Sequence, residues 1–431
     1  MRIRTTGTVI VGAGQAGLAL SHYLSRVRLE HVVLDRGRIG ERWRSERWES
    51  LRLLTPNWLN RLPGSAPHAD RNGFLGGSAF ATYLEDYARS FSAPVREGVS
   101  VLEVARGRHG FAVGTDSGTW RAKNVVIATG YADEPRLPAA AAAAPGRILQ
   151  LHSSRYRSAD RLPPGGVLIV GSGPSGQQLA AELRRSGRDV TLAAGRHARS
   201  PRRYRGRDVW SWFAETGRLD QTLEDVPHER DPASSPSLVL SGANGGEHLD
   251  LSMLAALGVV VAGRLKGFTG RYALFADDLE PTVREADERM SRMLARIDGR
   301  VAGSRTVDPP AAEPVPAQTL PRGPRMLDLE RTNISTLIWA TGYRRSYSWL
   351  NVDVLDDDGE VAHDRGVTAV PGLYALGLRF QHRRSSHFIG GVGHDACFLA
   401  ARLLTPPGCG TTVCGSRAAS ASPAGVVTLA R

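Results

Sequence analysis

The chain has 431 residues, of which 41% are hydrophobic, so it is long enough for two or three domains with sizeable cores. No apolar run reaches the roughly 18 residues that a membrane span needs, and no secretory pattern precedes the first strand, so we predict a cytoplasmic protein. The net charge of +12 comes almost entirely from scattered arginines, with Lys123 and Lys266 as the only lysines, which argues against a nucleic-acid-binding surface.

The number and spacing of the cysteines argue against disulfide, metal and dithiol chemistry. The chain has three cysteines, Cys397, Cys409 and Cys414, and they form neither a CxxC pair nor a Cys/His spacing typical of a metal site. We therefore predict no disulfide scaffold and no bound metal. A flavin disulfide reductase needs a redox cysteine pair close after the first βαβ unit, and no cysteine precedes Cys397, so the sequence argues against this class of enzyme.

A glycine motif follows the first predicted strand. Residues 8–11 are mostly β-branched and lead into Gly12-x-Gly14-x-x-Gly17 and then into a helical pattern. In a dinucleotide-binding βαβ unit such glycines allow a tight turn and a close approach to a pyrophosphate, which the helix N-terminus also attracts. Asp35 closes the next strand, where an acid binds ribose hydroxyls. We predict an FAD or NAD site here.

The rest of the first domain is predicted to be a mixed α/β segment. In chain order it contains a helix at 80–90, a strand at 99–104, a hairpin at 110–115 and 119–122, and an apolar strand that ends in Ala128-Thr129-Gly130. A linker rich in alanine and proline follows.

The glycine motif occurs a second time. Residues 167–170 are apolar and lead into Gly171-x-Gly173-x-x-Gly176 and a second helical pattern. The next strand carries no acid at its end and is followed by Gly195 and Arg196. Further arginines lie close behind at Arg199, Arg202 and Arg203. Because arginine suits a 2′-phosphate, we predict NADPH at this second site.

The remainder of the chain suggests an insertion and a return to the first domain. The predicted features are a Gly/Ser/Pro-rich insertion at 231–247, strands at 259–261 and 272–275, a helix at 280–297, a Pro-rich stretch at 309–324, a strand at 335–339 that ends in Ala340-Thr341-Gly342, and a helix at 392–403. An ATG sequence thus ends a strand after each dinucleotide unit. Residues 406–431 are predicted to be disordered.

Together these features resemble those of the class B, single-component flavin-containing monooxygenases. Besides the glycine motifs and ATG turns, the chain carries Gly40-Glu41-Arg42-Trp43, LRLLTP at 51–56, PRRYRGRD at 201–208 and FIxGVGxDAxxLA at 388–400. The last two are similar to those of uncharacterised bacterial members. The resemblance covers residues 7–404.

The resemblance implies an α/β fold with two Rossmann-like domains, each doubly wound in three layers, the NADPH domain being inserted into the FAD domain. The implied boundaries are 1–135 and 331–405 for the FAD domain, 136–165 for a linker and 166–330 for the NADPH domain. The residues expected to bind the cofactors are Gly12, Gly14, Gln15, Ala16, Gly17, Asp35, Arg36, Arg42, Trp43, Thr55, Val101, Ala128, Thr129, Gly130, Gly171, Gly173, Ser175, Gly176, Arg196, Arg199, Thr341, Gly377 and Gly391.

Two residues are candidates for a catalytic role. Asn57 lies near the position at which N-oxygenating members carry an asparagine, although the matching position here is Leu54. The alternative is that Asn57 caps a turn. His152 and Tyr156 match the HxxxY half of the family's linker fingerprint, whose first half is absent. His152 is expected either to sense closure over the cofactor or to be a hydrogen-bonded structural histidine.

The function implied is that of an FAD- and NADPH-dependent monooxygenase. NADPH reduces FAD, O₂ forms a C4a-(hydro)peroxyflavin, and a small organic substrate is oxygenated by N-, S- or Baeyer–Villiger-type chemistry. Two alternatives stay open: an NADPH oxidase or flavin reductase that releases peroxide, and a non-catalytic NADPH/FAD-binding regulatory protein. The expected partners are the substrate and O₂, and the resemblance leaves room for a homodimer. Ser385, Ser386 and His387 lie just ahead of the predicted closing helix and are expected to face the substrate.

Overall fold

A computed structural model describes residues 3–226, 235–303 and 310–404. The helices in these residues are α1 (Gln15–Arg26), α2 (Glu41–Ser45), α3 (Gly77–Ser90), α4 (Pro174–Arg185), α5 (Val209–Glu215), α6 (Leu251–Ala256), α7 (Leu279–Ala302) and α8 (Val392–Leu404). None of the helices in these ranges is both long and apolar enough to cross a bilayer.

The longest strands are β1, which has 9 residues, and β6, which has 10. They are β1 (Ile3–Val11), β2 (His31–Leu34), β3 (Val95–Arg96), β4 (Val101–Gly107), β5 (Gly110–Thr115), β6 (Gly118–Ile127), β7 (Glu134–Pro135), β8 (Leu149–His152), β9 (Gly166–Val170), β10 (Val190–Ala193), β11 (Arg203–Tyr204), β12 (Arg207–Asp208), β13 (Val260–Ala262), β14 (Leu265–Thr269), β15 (Tyr272–Phe275), β16 (Met326–Asp328), β17 (Ile334–Trp339), β18 (Tyr343–Arg344), β19 (Leu350–Asn351) and β20 (Leu373–Ala375).

The first glycine motif follows the central strand of an eight-stranded sheet. The strand order is β19-β4-β5-β6-β1-β2-β3, and β20 also pairs with β6. β1 is parallel to both β2 and β6, so the turn after β1 lies where the chain order reverses. Alternate residues of these strands pack against α1, α3 and α8 on one face and against the β4–β5 hairpin on the other. Burial on both faces explains why the last three residues of β1, Val9, Ile10 and Val11, are all apolar.

The second glycine motif lies in a five-stranded parallel sheet with the order β13-β10-β9-β17-β8. One face of this sheet packs against α4 and α6. The other face packs against the three-stranded sheet formed by β14, β15 and β16. The predicted fold class, α/β with two Rossmann-like domains, is confirmed. Both glycine turns lie at switch points, which is where open α/β sheets bind ligands.

The domain boundaries differ from those predicted. β17 pairs with β9, so it belongs to the second sheet, although a boundary at residue 331 assigned it to the FAD domain. β8 pairs with β17 and extends the same sheet, although it lies within the predicted linker 136–165. The reason is that the strand beside β9 completes the second switch point, so the chain returns to the FAD domain only after Trp339.

Most of the predicted helices and strands are present with small shifts. The helices at 80–90, 280–297 and 392–403 correspond to α3, α7 and α8, and the hairpin corresponds to β5 and β6. The strand predicted at 99–104 instead begins at Val101 and continues to Gly107. The predicted tail at 406–431, the first part of the insertion at 231–247 and the first residue of the stretch at 309–324 lie outside the described residues.

Candidate functional site

The first glycine loop is built from three glycines with different tasks. Gly12 has φ +111° and donates its N–H to the Leu34 carbonyl at 2.8 Å, and a Cβ on it would lie 2.6 Å from the Ala128 carbonyl oxygen. A Cβ on Gly17 would overlap the Gly12 carbonyl. A Cβ on Gly14, in contrast, would meet no described heavy atom within 4 Å. Gly12 and Gly17 therefore serve packing, whereas Gly14 borders open space that fits a pyrophosphate.

The second loop repeats this geometry. Gly171 has φ +108° and donates to the Ala193 carbonyl at 3.0 Å, and a Cβ on it would lie 2.5 Å from the Ala340 carbonyl oxygen. A Cβ on Gly176 would overlap the Gly171 carbonyl, while Gly173 has no described neighbour within 4 Å of its Cβ position. The chain thus has two loops that fit a dinucleotide pyrophosphate.

Each ATG turn ends the strand that lies beside its glycine loop. Gly130 and Gly342 have φ +78° and +81°, and neither would bring a Cβ within 4 Å of another described atom. Thr129 precedes the first of these glycines. Thr341 precedes the second and donates its hydroxyl to the Arg136 carbonyl. The ATG turns predicted to border the cofactors therefore stand beside the two open loops.

Asp35 marks the ribose side of the first loop. Its carboxylate accepts the backbone N–H groups of Ala13 at 2.7 Å and Gly37 at 2.9 Å, one on each oxygen. Burial raises the pKa of Asp35, and these two hydrogen bonds, together with Arg36 and Arg42, act in the opposite direction. Each oxygen retains a lone pair, so the carboxylate is suited to accept ribose hydroxyls.

The segment before β4 lies beside Asp35. The N–H of Val99 donates to the Asp35 carbonyl at 2.8 Å. Val101 starts β4 two residues later and pairs with Thr115 in the hairpin. The assignment of Val101 to the FAD site stays a prediction.

The second loop lacks an acid at the equivalent place. The carbonyl that accepts the N–H of the first glycine belongs to Leu34 in the first unit and to Ala193 in the second. The next residue is Asp35 in the first unit and the buried Ala194 in the second. Arg196 follows two residues later. An uncharged site with an arginine at its rim favours a nucleotide that carries a 2′-phosphate.

Two serines border the second loop. The Ser172 hydroxyl donates to the Gly195 carbonyl at 2.9 Å and lies 3.1 Å from the Gly195 nitrogen. These contacts fix the turn from which Arg196 projects. Ser175 lies in the first turn of α4, next to Pro174 at its N-terminus.

Arg199 does not have the role predicted for it. Its side chain is 4% exposed and pairs with Asp250 at 2.7 Å and with Asp287 at 2.8 Å. Both carboxylates neutralise the guanidinium inside the domain, so the contacts of Arg199 contradict its assignment to the phosphate-binding rim. This pairing could not be predicted from the local pattern, because the two partners lie 51 and 88 residues further along the chain.

Arg36 and Arg42 converge on Asp133, just beyond the first ATG turn. The distances to the Asp133 carboxylate are 3.2 Å and 2.7 Å. These ion pairs connect the segment after β2 to the turn after β6, and Asp133 was not among the predicted residues. Trp43 stands edge-on to Phe80 at 4.9 Å and packs at the junction of two hydrophobic cores.

Two predicted residues in the first turn of α1, Gln15 and Ala16, contact the segment that returns to the FAD domain. Gln15 donates its side-chain amide to the His387 carbonyl at 2.9 Å. A Cβ on Gly377 would lie 2.8 Å from the Ala16 side chain, so the returning segment passes directly over the helix start. Gly391, immediately before α8, donates to the Phe388 carbonyl at 3.1 Å. The fold therefore brings these distant residues to the first loop.

The side chains of Asn57 and Thr55 both form hydrogen bonds with neighbouring loop residues. The Asn57 amide donates to the Asp70 carbonyl at 2.9 Å and accepts the Leu75 N–H at 3.1 Å, and its side chain is buried. The Thr55 hydroxyl donates to the Asn60 side chain at 2.6 Å. These contacts favour the alternative in which Asn57 caps a turn.

His152 joins the predicted linker to the second ATG turn. One ring nitrogen lies 3.0 Å from the Gly342 carbonyl and the other lies 2.9 Å from the Ser154 hydroxyl. Tyr343 stands edge-on to the ring at 4.9 Å, and the Arg47 guanidinium lies 5.8 Å from the Tyr343 ring. Burial lowers the pKa of His152, so the imidazole is neutral near pH 7. Its place beside the turn supports a positioning role.

Comparison with known proteins identifies the family. A model of the pyridine nucleotide-disulphide oxidoreductases matches residues 9–212. An uncharacterised CzcO-like oxidoreductase of Geobacillus kaustophilus is 32% identical over 399 residues, which cover 92% of this chain and 97% of the relative. The chain belongs to the CzcO-like oxidoreductase family. It is therefore a flavin-dependent oxidoreductase, and the resemblance seen in the sequence is confirmed.

Two further proteins connect the family to oxygenases. The rice protein indole-3-pyruvate monooxygenase YUCCA1 is 25% identical over 393 residues, which cover 86% of each chain. The solved structure of a flavin-containing monooxygenase from Stenotrophomonas maltophilia is 21% identical, covers 93% of this chain and 98% of its own, and gives a TM-score of 0.62. The fold is therefore that of flavin-containing monooxygenases, and the family supports the predicted cofactors, FAD and NADPH.

Proposed function

We propose that the protein is an NADPH-dependent flavin monooxygenase that oxygenates a small organic substrate. The observation that carries the proposal is the pair of glycine loops with equal packing and different ribose sides, one with Asp35 and one with Ala194 and Arg196. The family-matched region 9–212 contains no cysteine, so a dithiol reaction has no residues to perform it. The names of the rice and Stenotrophomonas relatives support an oxygenase.

Each of the two cofactors would be bound by its own set of residues. Gly12, Gly14 and Gly17 would hold the FAD pyrophosphate with Asp35 on the ribose, and the second loop would hold NADPH with Arg196 near its 2′-phosphate. Bound FAD would supply the redox chemistry, including hydride acceptance and activation of O₂, and the C4a-(hydro)peroxyflavin expected from the family resemblance is part of this proposal.

Contacts between the domains would exclude water from the reacting centre. The Leu54 carbonyl accepts hydrogen bonds from Arg202 at 2.8 Å and from the Trp210 indole at 3.1 Å. Arg202 is buried and also pairs with Asp208 at 2.6 Å. The LRLLTP segment of the FAD domain is thus fastened to the PRRYRGRD segment of the inserted domain. We expect this buried contact between the domains to limit the access of water, which would favour oxygen transfer over loss of peroxide.

The reaction of the reduced enzyme with O₂ tests the proposal. We expect NADPH-reduced protein, mixed with O₂ in the presence of NADP⁺, to accumulate an oxygenated flavin that decays faster when substrate is added and yields an oxygen-containing product by mass spectrometry. Direct return to oxidised flavin with stoichiometric peroxide, for every nucleophile and ketone in a panel, would instead support the oxidase alternative. Binding of both cofactors with negligible NADPH consumption would support the regulatory alternative.

A further inference from the structure

A cavity of about 380 Å³ opens beside the first residues of β1 in the FAD domain. Its wall is formed by one residue each from β1, β3, the segment before β4, the turn between β5 and β6, and β6. These residues are Arg4, Arg96, Val99, Ser117 and Trp120. None of these five described residues is acidic, and two of them are arginines. The volume falls within the range of about 300–1,000 Å³ that is usual for small-molecule sites.

The cavity is distinct from the loop that fits the FAD pyrophosphate. Arg4 is the second residue of β1, whereas the first glycine loop follows Val11 at the other end of this strand. Backbone hydrogen bonds fix part of the cavity wall to the first unit. The Asp35 N–H donates to the Arg96 carbonyl at 3.1 Å, and the Val99 N–H donates to the Asp35 carbonyl at 2.8 Å. This part of the wall is therefore held in place before any ligand binds.

The two arginines carry positive charge that no carboxylate among the described residues neutralises. The Arg4 guanidinium lies over the Trp120 ring, 5.3 Å from the ring centre, and forms no ion pair within the described residues. Arg96 is exposed and likewise has no ion-pair partner there. The acid of the β5–β6 turn, Asp116, accepts the Ser100 N–H at 3.0 Å and does not line the cavity. The charge of the cavity wall therefore favours an anion.

The indole of Trp120 adds a donor that lacks an acceptor. Trp120 is 8% exposed, and its buried Nε1 atom has no hydrogen-bond partner within the described residues. Three other buried tryptophans differ, because the indoles of Trp210, Trp212 and Trp339 each donate to a described oxygen. A buried N–H without an acceptor is unfavourable, so an acceptor atom bound in the cavity would remove this cost.

We propose that this cavity binds a phosphate group, held by the guanidinium groups of Arg4 and Arg96 and by the Trp120 indole N–H. Guanidinium groups match phosphate oxygens in charge and in geometry. The donors come from three different strands, and a phosphate has more oxygens than a carboxylate with which to accept them. The phosphate is either free or part of a small phosphomonoester, whose organic group would pack against Val99. The inference is independent of the proposed function, because it concerns neither glycine loop.

Isothermal titration calorimetry of the FAD-loaded protein, saturated with NADP⁺ so that both glycine loops are occupied, tests the proposal. The probes are inorganic phosphate, phenyl phosphate and acetate. We expect one phosphate to bind per chain, at least about tenfold more tightly than acetate. Tighter binding of phenyl phosphate than of inorganic phosphate would identify a phosphomonoester as the ligand, and equal binding would identify free phosphate. Both of these outcomes support the site.

Three variants remove the proposed donors one at a time. Arg4→Gln and Arg96→Gln should each weaken phosphate binding at least about tenfold, because each removes a charge-assisted contact. Trp120→Phe keeps an aromatic ring beneath Arg4 but lacks the N–H, and should weaken binding severalfold. Arg106→Gln is the matched control, since Arg106 is exposed on β4 outside the cavity, and it should bind phosphate like the wild type. Thermal unfolding verifies that each variant is folded.

Three results would overturn the proposal. The first is absence of phosphate binding to the wild-type protein, or binding no tighter than that of acetate. The second is an equal loss of affinity in Arg106→Gln, because binding would then depend on net charge alone. The third is weaker FAD binding in both Arg4→Gln and Arg96→Gln, which would assign these arginines to the cofactor and not to a separate phosphate.

Discussion

The two glycine loops of this chain are nearly identical in packing and differ at the ribose. In each loop the first glycine packs closely against the alanine of an ATG turn, and the third glycine packs closely against the first. The middle glycine faces open space. The two units differ after their second strands. In the first unit the strand is followed by Asp35, whose carboxylate accepts two backbone N–H groups, and in the second it is followed by the buried Ala194 and by Arg196.

The comparison separates what makes a dinucleotide site from what selects the nucleotide. The shared packing of the loops depends on the absence of a Cβ at the first and third glycines. It recurs wherever a strand must turn into a helix beside another strand. We propose that the choice of nucleotide depends on the charge of one side chain after the second strand of each unit. Variants that act on one loop alone therefore test the comparison.

The largest effect is expected from the third glycine of each loop. Gly17→Ala places a Cβ on the Gly12 carbonyl, and Gly176→Ala does the same to the Gly171 carbonyl. We expect Gly17→Ala to be purified without flavin and to be destabilised by about 3 kcal/mol or more. Gly176→Ala should remain yellow but be reduced by NADPH at least about a hundredfold more slowly, which corresponds to about 2.7 kcal/mol. Flavin absorbance and thermal unfolding measure both outcomes.

Gly14→Ala is the matched control for this experiment. Its Cβ would meet no described atom within 4 Å, so the apoprotein should unfold at the wild-type temperature although FAD affinity falls. Loss of apoprotein stability in this variant would show that the middle glycine also serves packing, and the assignment of the open space to the pyrophosphate would be wrong.

Arg199 and Arg196 should behave in opposite ways although they are three residues apart. Arg199→Ala leaves Asp250 and Asp287 without their buried partner and should destabilise the fold by about 3–5 kcal/mol. Arg196→Ala should leave stability nearly unchanged and raise the KM for NADPH about tenfold, with little effect on NADH. An equal loss with both nucleotides would exclude recognition of the 2′-phosphate by Arg196.

Asp35 is expected to contribute less than the glycines of its loop. Asp35→Ala removes the acceptor of two backbone N–H groups and of the expected ribose hydroxyls, and should weaken FAD binding by about 1–3 kcal/mol. Asp35→Asn retains an acceptor oxygen and should lose less. Fluorescence titration of the apoprotein with FAD provides the comparison, and unchanged affinity in both variants would contradict the ribose assignment.

The smallest effect is expected at His152, which contacts the second ATG turn but has no counterpart at the first. His152→Asn should slow reduction by NADPH severalfold, about 1 kcal/mol, without releasing FAD. Because burial lowers the pKa of His152 below its ordinary value of 6.5, its contribution to stability is complete above pH 6.5 and is lost as the pH falls through the lowered pKa. His109→Asn, in an exposed turn, should not alter the pH dependence of unfolding.

Local features were predictable from the sequence. The glycine motifs, the ATG turns and the helices that follow each loop depend on residues close together in the chain, and they stand where the pattern indicated. The assignment of β17 to the second sheet and the pairing of Arg199 with Asp250 and Asp287 depend on partners far away in sequence. Nothing in the local pattern specifies such distant partners. The predicted boundary at residue 331 and the predicted role of Arg199 were therefore wrong.

The candidate site shows the same limit. Asp35 was found from its place at the end of β2, but the hydrogen bond that joins Val99 to the Asp35 carbonyl is visible only in the folded chain. Asp133 belongs to no motif in the sequence. Its role becomes visible because the fold brings its carboxylate to Arg36 and Arg42.

An anaerobic spectral titration tests most directly the claim that one chain holds FAD in its first loop and NADPH in its second. We expect the purified protein to contain one FAD per chain, and one equivalent of NADPH to bleach it, while NADH acts far more slowly at the same concentration. A chain that carries no flavin after addition of FAD, or a bound flavin that stays oxidised with NADPH, would contradict the account.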